Sequence, residues 1–234
     1  MALLSRRIAA EAVGAALLLA AVVGSGIMAE RLSAGNSALA LLANAVATGG
    51  ALVALILALG PISGAHLNPV VTVADAAGGG VRWAVVPVYV AAQMAGAVTG
   101  VALAHVMFGL SAFSASTHVR SGVPQVFAEA VATFGLLLVI WGCSRHRPGA
   151  APYAVAAFIV AAYWFTSSTS FANPAVTVAR SLTDTFSGIR PADVPGFLLG
   201  QAGGALAAIG LCRWLDPHSV LAAAATSPEE LSDG

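Results

Sequence analysis

The sequence predicts an all-α membrane protein with six transmembrane helices and two re-entrant half helices in an inverted repeat. Three observations lead to this fold class. Of the 234 residues, 59% are hydrophobic and only 9% are charged, whereas an ordinary soluble domain carries roughly 25% charged residues. Several uncharged stretches are about as long as a bilayer is thick, and an Asn-Pro tripeptide occurs once in each half of the chain.

Six apolar stretches approach or exceed the roughly 20 residues that cross a bilayer core. They cover residues 12–28, 37–62, 83–104, 123–144, 149–165 and 194–212. Arg6 and Arg7 ahead of the first stretch are compatible with a cleaved signal peptide. Because Glu11 interrupts the apolar run that follows Arg7 and a later segment repeats it, we expect the first helix to be retained.

Basic residues predict the orientation in the membrane. Arg145, His146 and Arg147 lie between the fourth and fifth stretches, and the positive-inside rule places such a cluster in the cytoplasm. We therefore expect a multi-pass protein of the cell inner membrane with both termini cytoplasmic. The formal net charge of zero gives no reason to expect nucleic-acid binding.

Three pairs of polar markers recur in the same order in the two halves of the chain. The pairs are Glu11 with Glu129, Asn68 with Asn173, and Gln93 with Gln201. This order predicts a first repeat at 1–117, a second repeat at 118–221 and a polar tail at 222–234. Each repeat has three spans, so the second enters the membrane inverted, and the two Asn-Pro segments should meet near the midplane.

Small residues in the third and sixth spans predict close helix packing, since glycine lets two backbones approach each other in a membrane. The glycines concerned are Gly96, Gly100, Gly200, Gly203 and Gly204.

Each Asn-Pro segment is typical of a helix start inside the membrane. Asn is a preferred N-cap and Pro is favoured at the first helical position. The two starts are Asn68, Pro69 and Val70, and Asn173, Pro174 and Ala175. A capping Asn uses its side-chain oxygen and leaves two amide N–H groups free to donate, so Asn68 and Asn173 are predicted to be hydrogen-bond donors at the centre of a pore.

The loops before these starts predict the rest of the pore wall. Irregular backbone is tolerated at membrane depth only where protein buries it or where it lines a watery cavity. The loop residues predicted to line the pore are Gly64, Ala65, His66, Phe171 and Ala172. Two half helices also point their positive N-terminal ends inward, a field that disfavours cations and leaves small neutral solutes able to pass.

Two acidic residues inside spans, Glu11 and Glu129, leave two interpretations open. As proton-relay groups they would indicate a pump or a coupled transporter. As acceptors for free backbone N–H groups of the re-entrant loops they would be scaffolding. Their symmetric placement, one per broken helix, favours scaffolding, and Gln93 and Gln201 are assigned to the same scaffold.

The segment Ser63-Gly64-Ala65-His66-Leu67-Asn68-Pro69, together with Asn173-Pro174-Ala175, resembles the major intrinsic protein family, the aquaporins and aquaglyceroporins. The resemblance covers nearly the whole chain. It implies passive transport of water or small uncharged solutes by a homotetramer in the lipid bilayer, with one pore per subunit.

Departures from the family concern the motifs and the outer constriction. The first motif ends in Val70 where the family commonly has Ala, a small change in volume beside the pore, and the second is followed by Val176 where the family usually has Arg. Counting from the motifs without gaps gives the constriction positions Thr48, Ala161, Ser170 and Val176. All four are uncharged, which implies a wider and less polar gate.

Two further features bear on the permeant. Arg180, one helical turn beyond Val176, either lines the pathway or contacts a loop or a lipid headgroup. The run at 165–177 is similar to a bacterial branch of the family associated with arsenic resistance. This similarity implies undissociated arsenite and methylated arsenicals as permeants beside glycerol-like polyols and water.

Competing functions remain open at this stage. A secondary active transporter also uses inverted repeats and broken helices, a mainly water-conducting aquaporin has the same fold, and a gated or non-conducting structural member is a third possibility. The five His residues show no metal-ligand spacing, and no nucleophile motif is recognisable. We therefore expect no enzyme activity, no metal and no cofactor.

Overall fold

The computed structural model describes residues 2–216, which form a helical bundle without a strand. The helices are α1 (Leu4–Leu32), α2 (Ser37–Ser63), α3 (Pro69–Ala77), α4 (Val86–Met107), α5 (Val123–His146), α6 (Ala151–Phe165), α7 (Pro174–Arg180) and α8 (Val194–Leu215). Single 3-10 turns precede α4, α6 and α8. The predicted all-α class is confirmed, while the predicted tail at 222–234 lies outside the described residues.

Six of these helices, with their preceding turns, are long and apolar enough to cross a membrane, as the sequence predicts. Because six is an even number, the start of α1 and the end of α8 lie on one face of the bundle, here called the terminal face. The opposite face, called the distal face, holds the end of α1 and the segment that joins α4 to α5. The repeat boundaries at 117 and 118 stay a prediction.

The two short helices are the predicted half helices. With nine residues in α3 and seven in α7 and a rise of 1.5 Å per residue, they are about 10–14 Å long. Asn68 caps α3 and accepts the N–H of Val70 at 3.0 Å. Asn173 caps α7 and accepts the N–H of Ala175 at 3.0 Å. Proline occupies the first turn of both helices, as predicted.

The bundle is held by two equivalent helix pairs, α1 with α4 and α5 with α8. A Cβ atom on Gly96 of α4 would lie 2.1 Å from the carbonyl oxygen of Ala12, and one on Gly204 of α8 would lie 2.2 Å from that of Ala130. Only hydrogen fits at such a distance, so glycine is required at both contacts.

Of the three other predicted packing glycines, two lie at close backbone contacts and one does not. Gly100 and Gly200 also meet backbone carbonyls, those of Ala16 and Val126, within 2.3 Å of an added Cβ. The prediction for Gly203 is wrong, because nothing lies within 4 Å of a Cβ there. Gly203 is exposed and lies on the side of α8 that faces away from α5.

We expect Gly96→Ala to destabilise the protein by about 1–3 kcal/mol, the range typical of overpacking, because the new methyl group forces α1 and α4 apart. Gly203→Ala is the matched control, since its methyl group meets empty space. Thermal unfolding in detergent should give a lower melting temperature for Gly96→Ala alone. Equal melting temperatures for the two variants would contradict the described α1–α4 contact.

Candidate functional site

One elongated cavity of about 500 Å³ runs through the bundle between the two half helices. Asn68 and Asn173 line it where α3 and α7 meet, Arg145 and Arg213 line it toward the terminal face, and Arg180 lines it toward the distal face. The cavity therefore passes the starts of both half helices.

The two capping Asn side chains link the loops to each other. Nδ2 of Asn68 donates to the carbonyl oxygen of Ala172 at 2.8 Å, and Nδ2 of Asn173 donates to that of Leu67 at 2.9 Å. The prediction that both amide N–H groups are free is therefore corrected, because each Asn uses one N–H to hold the opposite loop. The second N–H of each has no hydrogen-bond partner within residues 2–216 and adjoins the cavity.

The first re-entrant loop is held by Glu11, which is fully buried. One carboxylate oxygen accepts the hydroxyl of Ser63 at 2.6 Å and the N–H of His66 at 3.0 Å. The other accepts the N–H of Leu67 at 2.7 Å and an amide N–H of Gln93 at 2.8 Å. Four donors converge on one carboxylate, which does not line the cavity.

The second loop repeats this arrangement around Glu129, also fully buried. Its two oxygens accept the N–H groups of Phe171 and Ala172, each at 2.8 Å, and an amide N–H of Gln201 at 2.6 Å. Glu129 is likewise absent from the cavity wall. In both repeats a carboxylate thus accepts hydrogen bonds from two consecutive backbone N–H groups that no helix satisfies.

Two threonines complete the scaffold, although the sequence analysis did not single them out. The hydroxyls of Thr72 and Thr177 donate to the carbonyl of the Asn four residues earlier, at 3.1 and 2.8 Å. The same hydroxyls accept from Gln93 and Gln201 at 2.9 and 2.8 Å. Their signal was present, because Val-Thr-Val-Ala directly follows the Asn-Pro tripeptide in both repeats and sets Thr four residues after each Asn.

The structure places four of the five loop residues that were predicted to line the pore along the cavity. Gly64, Ala65, His66 and Phe171 line the cavity. Ala172 does not, since it is fully buried and both of its backbone groups are used, the N–H by Glu129 and the carbonyl by Asn68.

The helix-start residues lie behind the wall. Pro69, Val70, Pro174 and Ala175 do not line the cavity. The expected effect of Val70 beside the pore is therefore wrong, because this side chain belongs to a core cluster with Leu137 and residues of α8. Proline at these positions acts on the backbone, where it begins each half helix.

At the predicted outer constriction, Thr48, Ser170 and Val176 line the cavity toward the distal face. Ala161 does not, and the prediction for this residue is wrong. It is exposed on the outer surface between α2 and α6, beside Trp164.

Tyr163 and Ile159 of α6 line the cavity where Ala161 was expected. They are four residues apart and share one face of the helix, whereas Ala161 lies two residues, or about 200°, from each. Counting back from Asn173 without gaps assumed a fixed length for the connection after α6. The hydroxyl of Tyr163 lies 3.3 Å from that of Thr48. Together with Ser170, this part of the cavity wall therefore contains one aromatic ring and three hydroxyls.

Arg180 meets both alternatives that the sequence left open. Its side chain lines the cavity, while its Nε donates to the carbonyl of Ser187 in the loop after α7. The guanidinium carbon lies 3.4 Å from the ring centroid of Phe171. The expectation of an uncharged gate is thereby corrected, because a cation adjoins the constriction.

The long segment before α5 brings in a second arginine that sequence reasoning missed. Nε of Arg120 donates to the carbonyl of Gly188 at 2.7 Å, and its guanidinium carbon lies 5.1 Å from the ring centroid of Phe171. Nearby, the backbone N–H and hydroxyl of Thr117 hold the pKa of Asp184 below its usual value. Only the folded connection places these side chains near the mouth, so no local motif indicated them.

Comparisons with known proteins agree with this geometry. The profile of the family described as Major intrinsic protein matches residues 2–166. The Aquaglyceroporin AqpS of Rhizobium meliloti (strain 1021) is 52% identical over 226 residues, 97% of each chain. The Glycerol uptake facilitator protein of Bacillus subtilis (strain 168) is 36% identical over 44% of this chain and 43% of its own length.

A solved structure supports the fold in the same way. The aquaglyceroporin from Plasmodium falciparum superposes with a TM-score of 0.68 at 19% identity, over 94% of this chain and all of that one. The polar markers, the paired half helices, the family match over residues 2–166 and the full-length relative together lead to one conclusion. This chain belongs to the major intrinsic protein family, and it is a multi-pass membrane channel rather than an enzyme.

Proposed function

We propose that this protein is a passive channel for small neutral solutes, with water, glycerol-like polyols and undissociated arsenite or related organoarsenicals as permeants. The observation that carries the proposal is Val176, which lines the cavity where the family usually has Arg. A short apolar side chain leaves more width at that level than a guanidinium. Trihydroxy arsenite is neutral and polyol-like, so it suits the same pathway as glycerol.

Hydrogen bonding along the cavity supports a neutral permeant. Asn68 and Asn173 each keep one amide N–H at the centre, which is placed to donate to a solute oxygen as it passes. The half helices behind them point their positive ends at the same place. Cations are therefore disfavoured at the centre, while a hydroxylated solute can replace part of its hydration.

The names of two relatives support the same class of permeant. One is described as an aquaglyceroporin and matches along 97% of both chains, and the other is described as a glycerol uptake facilitator. These descriptions belong to those proteins. Their bearing on this chain rests on the 52% identity of the first relative.

Passive conduction fits the acidic residues better than coupled transport does. Glu11 and Glu129 do not line the cavity and are engaged by loop N–H groups. Asp75, an acidic residue that does line it, lies 3.7 Å from His66 and accepts the N–H of Val81 at 2.7 Å. A secondary active transporter would need a free carboxylate in the pathway to hold a coupling ion.

Orientation and assembly belong to the same proposal. We infer a homotetramer in the cell inner membrane with both termini cytoplasmic, built from repeats at 1–117 and 118–221. The Arg cluster at the end of α5 supports the orientation through the positive-inside rule. The outward face of α2, with exposed Leu39, Leu42 and Val46, is apolar enough to contact lipid or a neighbouring subunit. Native mass spectrometry of the detergent-solubilised protein would determine its oligomeric state.

A flux panel without an ion gradient tests the proposal. Liposomes containing the protein should shrink and reswell faster than empty liposomes when challenged with glycerol, and they should take up arsenite downhill. Water permeation without glycerol permeation would favour a water-selective aquaporin. Glycerol uptake that needs a proton or sodium gradient would favour the transporter.

Val176→Arg should lower glycerol and arsenite flux by about tenfold, the effect of an added barrier of about 1.4 kcal/mol, because the longer side chain narrows the cavity beside Ser170 and Tyr163. Val176→Thr, which has nearly the same shape, should keep the flux near that of the unmodified protein. Stopped-flow light scattering measures the glycerol flux, and uptake assays measure the arsenite flux. An unchanged solute profile in Val176→Arg would show that this residue does not set the constriction.

Glu129→Gln should destabilise the protein by about 1–3 kcal/mol, since an amide can accept only with its one oxygen and leaves a buried N–H unsatisfied. Glu30→Gln, at an exposed position of α1, is the control. Melting temperature in detergent and glycerol flux with and without a pH gradient are the measurements. If flux followed the gradient and Glu129→Gln abolished that dependence at unchanged stability, Glu129 would be a proton carrier and not scaffolding.

A further inference from the structure

We propose that Arg180 is a specificity-determining residue of the channel, whose guanidinium excludes cations and donates hydrogen bonds to permeant oxygens at the distal mouth. The inference rests on the proposed function, because it assigns a role at the mouth of the same solute pathway. Val176 by itself indicates a constriction without charge, whereas this inference assigns the charge to Arg180.

Helical geometry places Arg180 on the pore side of α7. It is the last residue of that helix and lies four residues after Val176, so the two side chains share one face. Both line the cavity. At 1.5 Å of rise per residue, Arg180 is about 6 Å farther along the axis toward the distal face.

The side chain is fixed but its terminal amino groups are not used by the protein. Nε donates to the carbonyl of Ser187, and the guanidinium lies over the ring of Phe171. That ring is in turn held edge to face against Phe197, with centroids 5.0 Å apart. No other hydrogen bond and no ion pair of Arg180 occurs within residues 2–216, which leaves its two terminal nitrogens for a solute.

Arg180 forms no ion pair within residues 2–216, and a second arginine lies close to it. Arg180 is only 2% exposed, and a buried cation without a counter-ion is costly unless water or a ligand solvates it. The nearest reinforcing group is Arg120, whose guanidinium lies near the same Phe171 ring and donates to the loop carbonyl of Gly188. Two cations around one ring make this end of the cavity positive.

An unsatisfied hydroxyl in the wall of the same cavity is a second polar group without a protein partner within residues 2–216. Ser170 is 3% exposed and lines the cavity, and its Oγ has no hydrogen-bond partner in the described part of the chain. Buried polar atoms in native proteins are nearly always paired. A passing solute whose oxygen accepts from the terminal nitrogens of Arg180 would satisfy the guanidinium, which favours an oxygen-rich neutral molecule over a cation.

Arg180→Gln removes the charge and keeps a polar side chain of similar length. Reconstituted in liposomes with an entrapped pH-sensitive dye and an imposed potassium diffusion potential, this variant should leak protons at least about tenfold faster than the unmodified protein. Its glycerol flux should fall by a smaller factor than its proton leak rises, because the amide of the new side chain still donates hydrogen bonds to permeant oxygens. Arg180→Lys, which retains the charge, should restore cation exclusion, and Arg31→Gln, at an exposed position on the distal face, should not leak.

A second pair of variants leaves the contacts of Arg180 intact. Ser170 has a positive φ of 50°, a conformation that Asp and Asn tolerate better than most residues. Ser170→Asp places a carboxylate beside Arg180, neutralises it and should also produce a leak, whereas Ser170→Asn should not. If Arg180→Gln fails to fold, this pair still tests whether the charge of Arg180 excludes cations.

The outcomes separate the two proposals. If the unmodified protein does not pass glycerol, the proposed function fails. If it passes glycerol but neither Arg180→Gln nor Ser170→Asp leaks, or if Arg31→Gln and Ser170→Asn leak equally, Arg180 has only a structural role and the inference is overturned.

Discussion

Backbone without helical hydrogen bonds crosses the middle of this bundle twice, and each unpaired N–H at that depth would be strongly unfavourable. Glu11 and Glu129 resolve this problem by accepting two consecutive loop N–H groups each. The cavity depends on that interaction, because the loops can expose their other groups to solutes only while their N–H groups are held from behind. A carboxylate suits the task better than an amide, since both of its oxygens accept.

Duplication gives the centre of the cavity its symmetry. The capping Asn of each half helix donates to the loop of the other, so the two repeats are linked by reciprocal hydrogen bonds at 2.8 and 2.9 Å. The half helices differ at their seventh residue after Asn, which is Asp75 in α3 and Arg180 in α7. Asp75 has a His66 ring nitrogen at 3.7 Å, whereas Arg180 forms no ion pair within residues 2–216. The asymmetry of the pathway therefore arises mainly at its two mouths.

Sequence patterns predicted the features that depend on local chemistry. Six apolar stretches gave the spans, the Asn-Pro pairs gave the starts of α3 and α7, and the paired Glu residues indicated partners in the loops. The positions that failed depend on loop conformation. Thr169, Ser170 and Ala172 all have positive φ, which folds the connection after α6 tightly, and the helix presents Tyr163 where gap-free counting expected Ala161. Arg120 was missed because a long irregular connection positions it.

Width and charge need not reside in the same residue of a channel constriction. In this chain Val176 lines the cavity at the predicted constriction. The backbone of Arg180 lies about 6 Å farther along the axis by helical rise, and its guanidinium reaches the ring of Phe171. The electrostatic effect of a cation reaches across several ångströms in a poorly solvated cavity, whereas steric exclusion acts only at contact. Under our proposal, an arginine one turn beyond Val176 retains a barrier to cations, while the small side chain of Val176 leaves cross-section at its own level. A pathway of this kind favours solutes that are neutral, hydroxylated and larger than water.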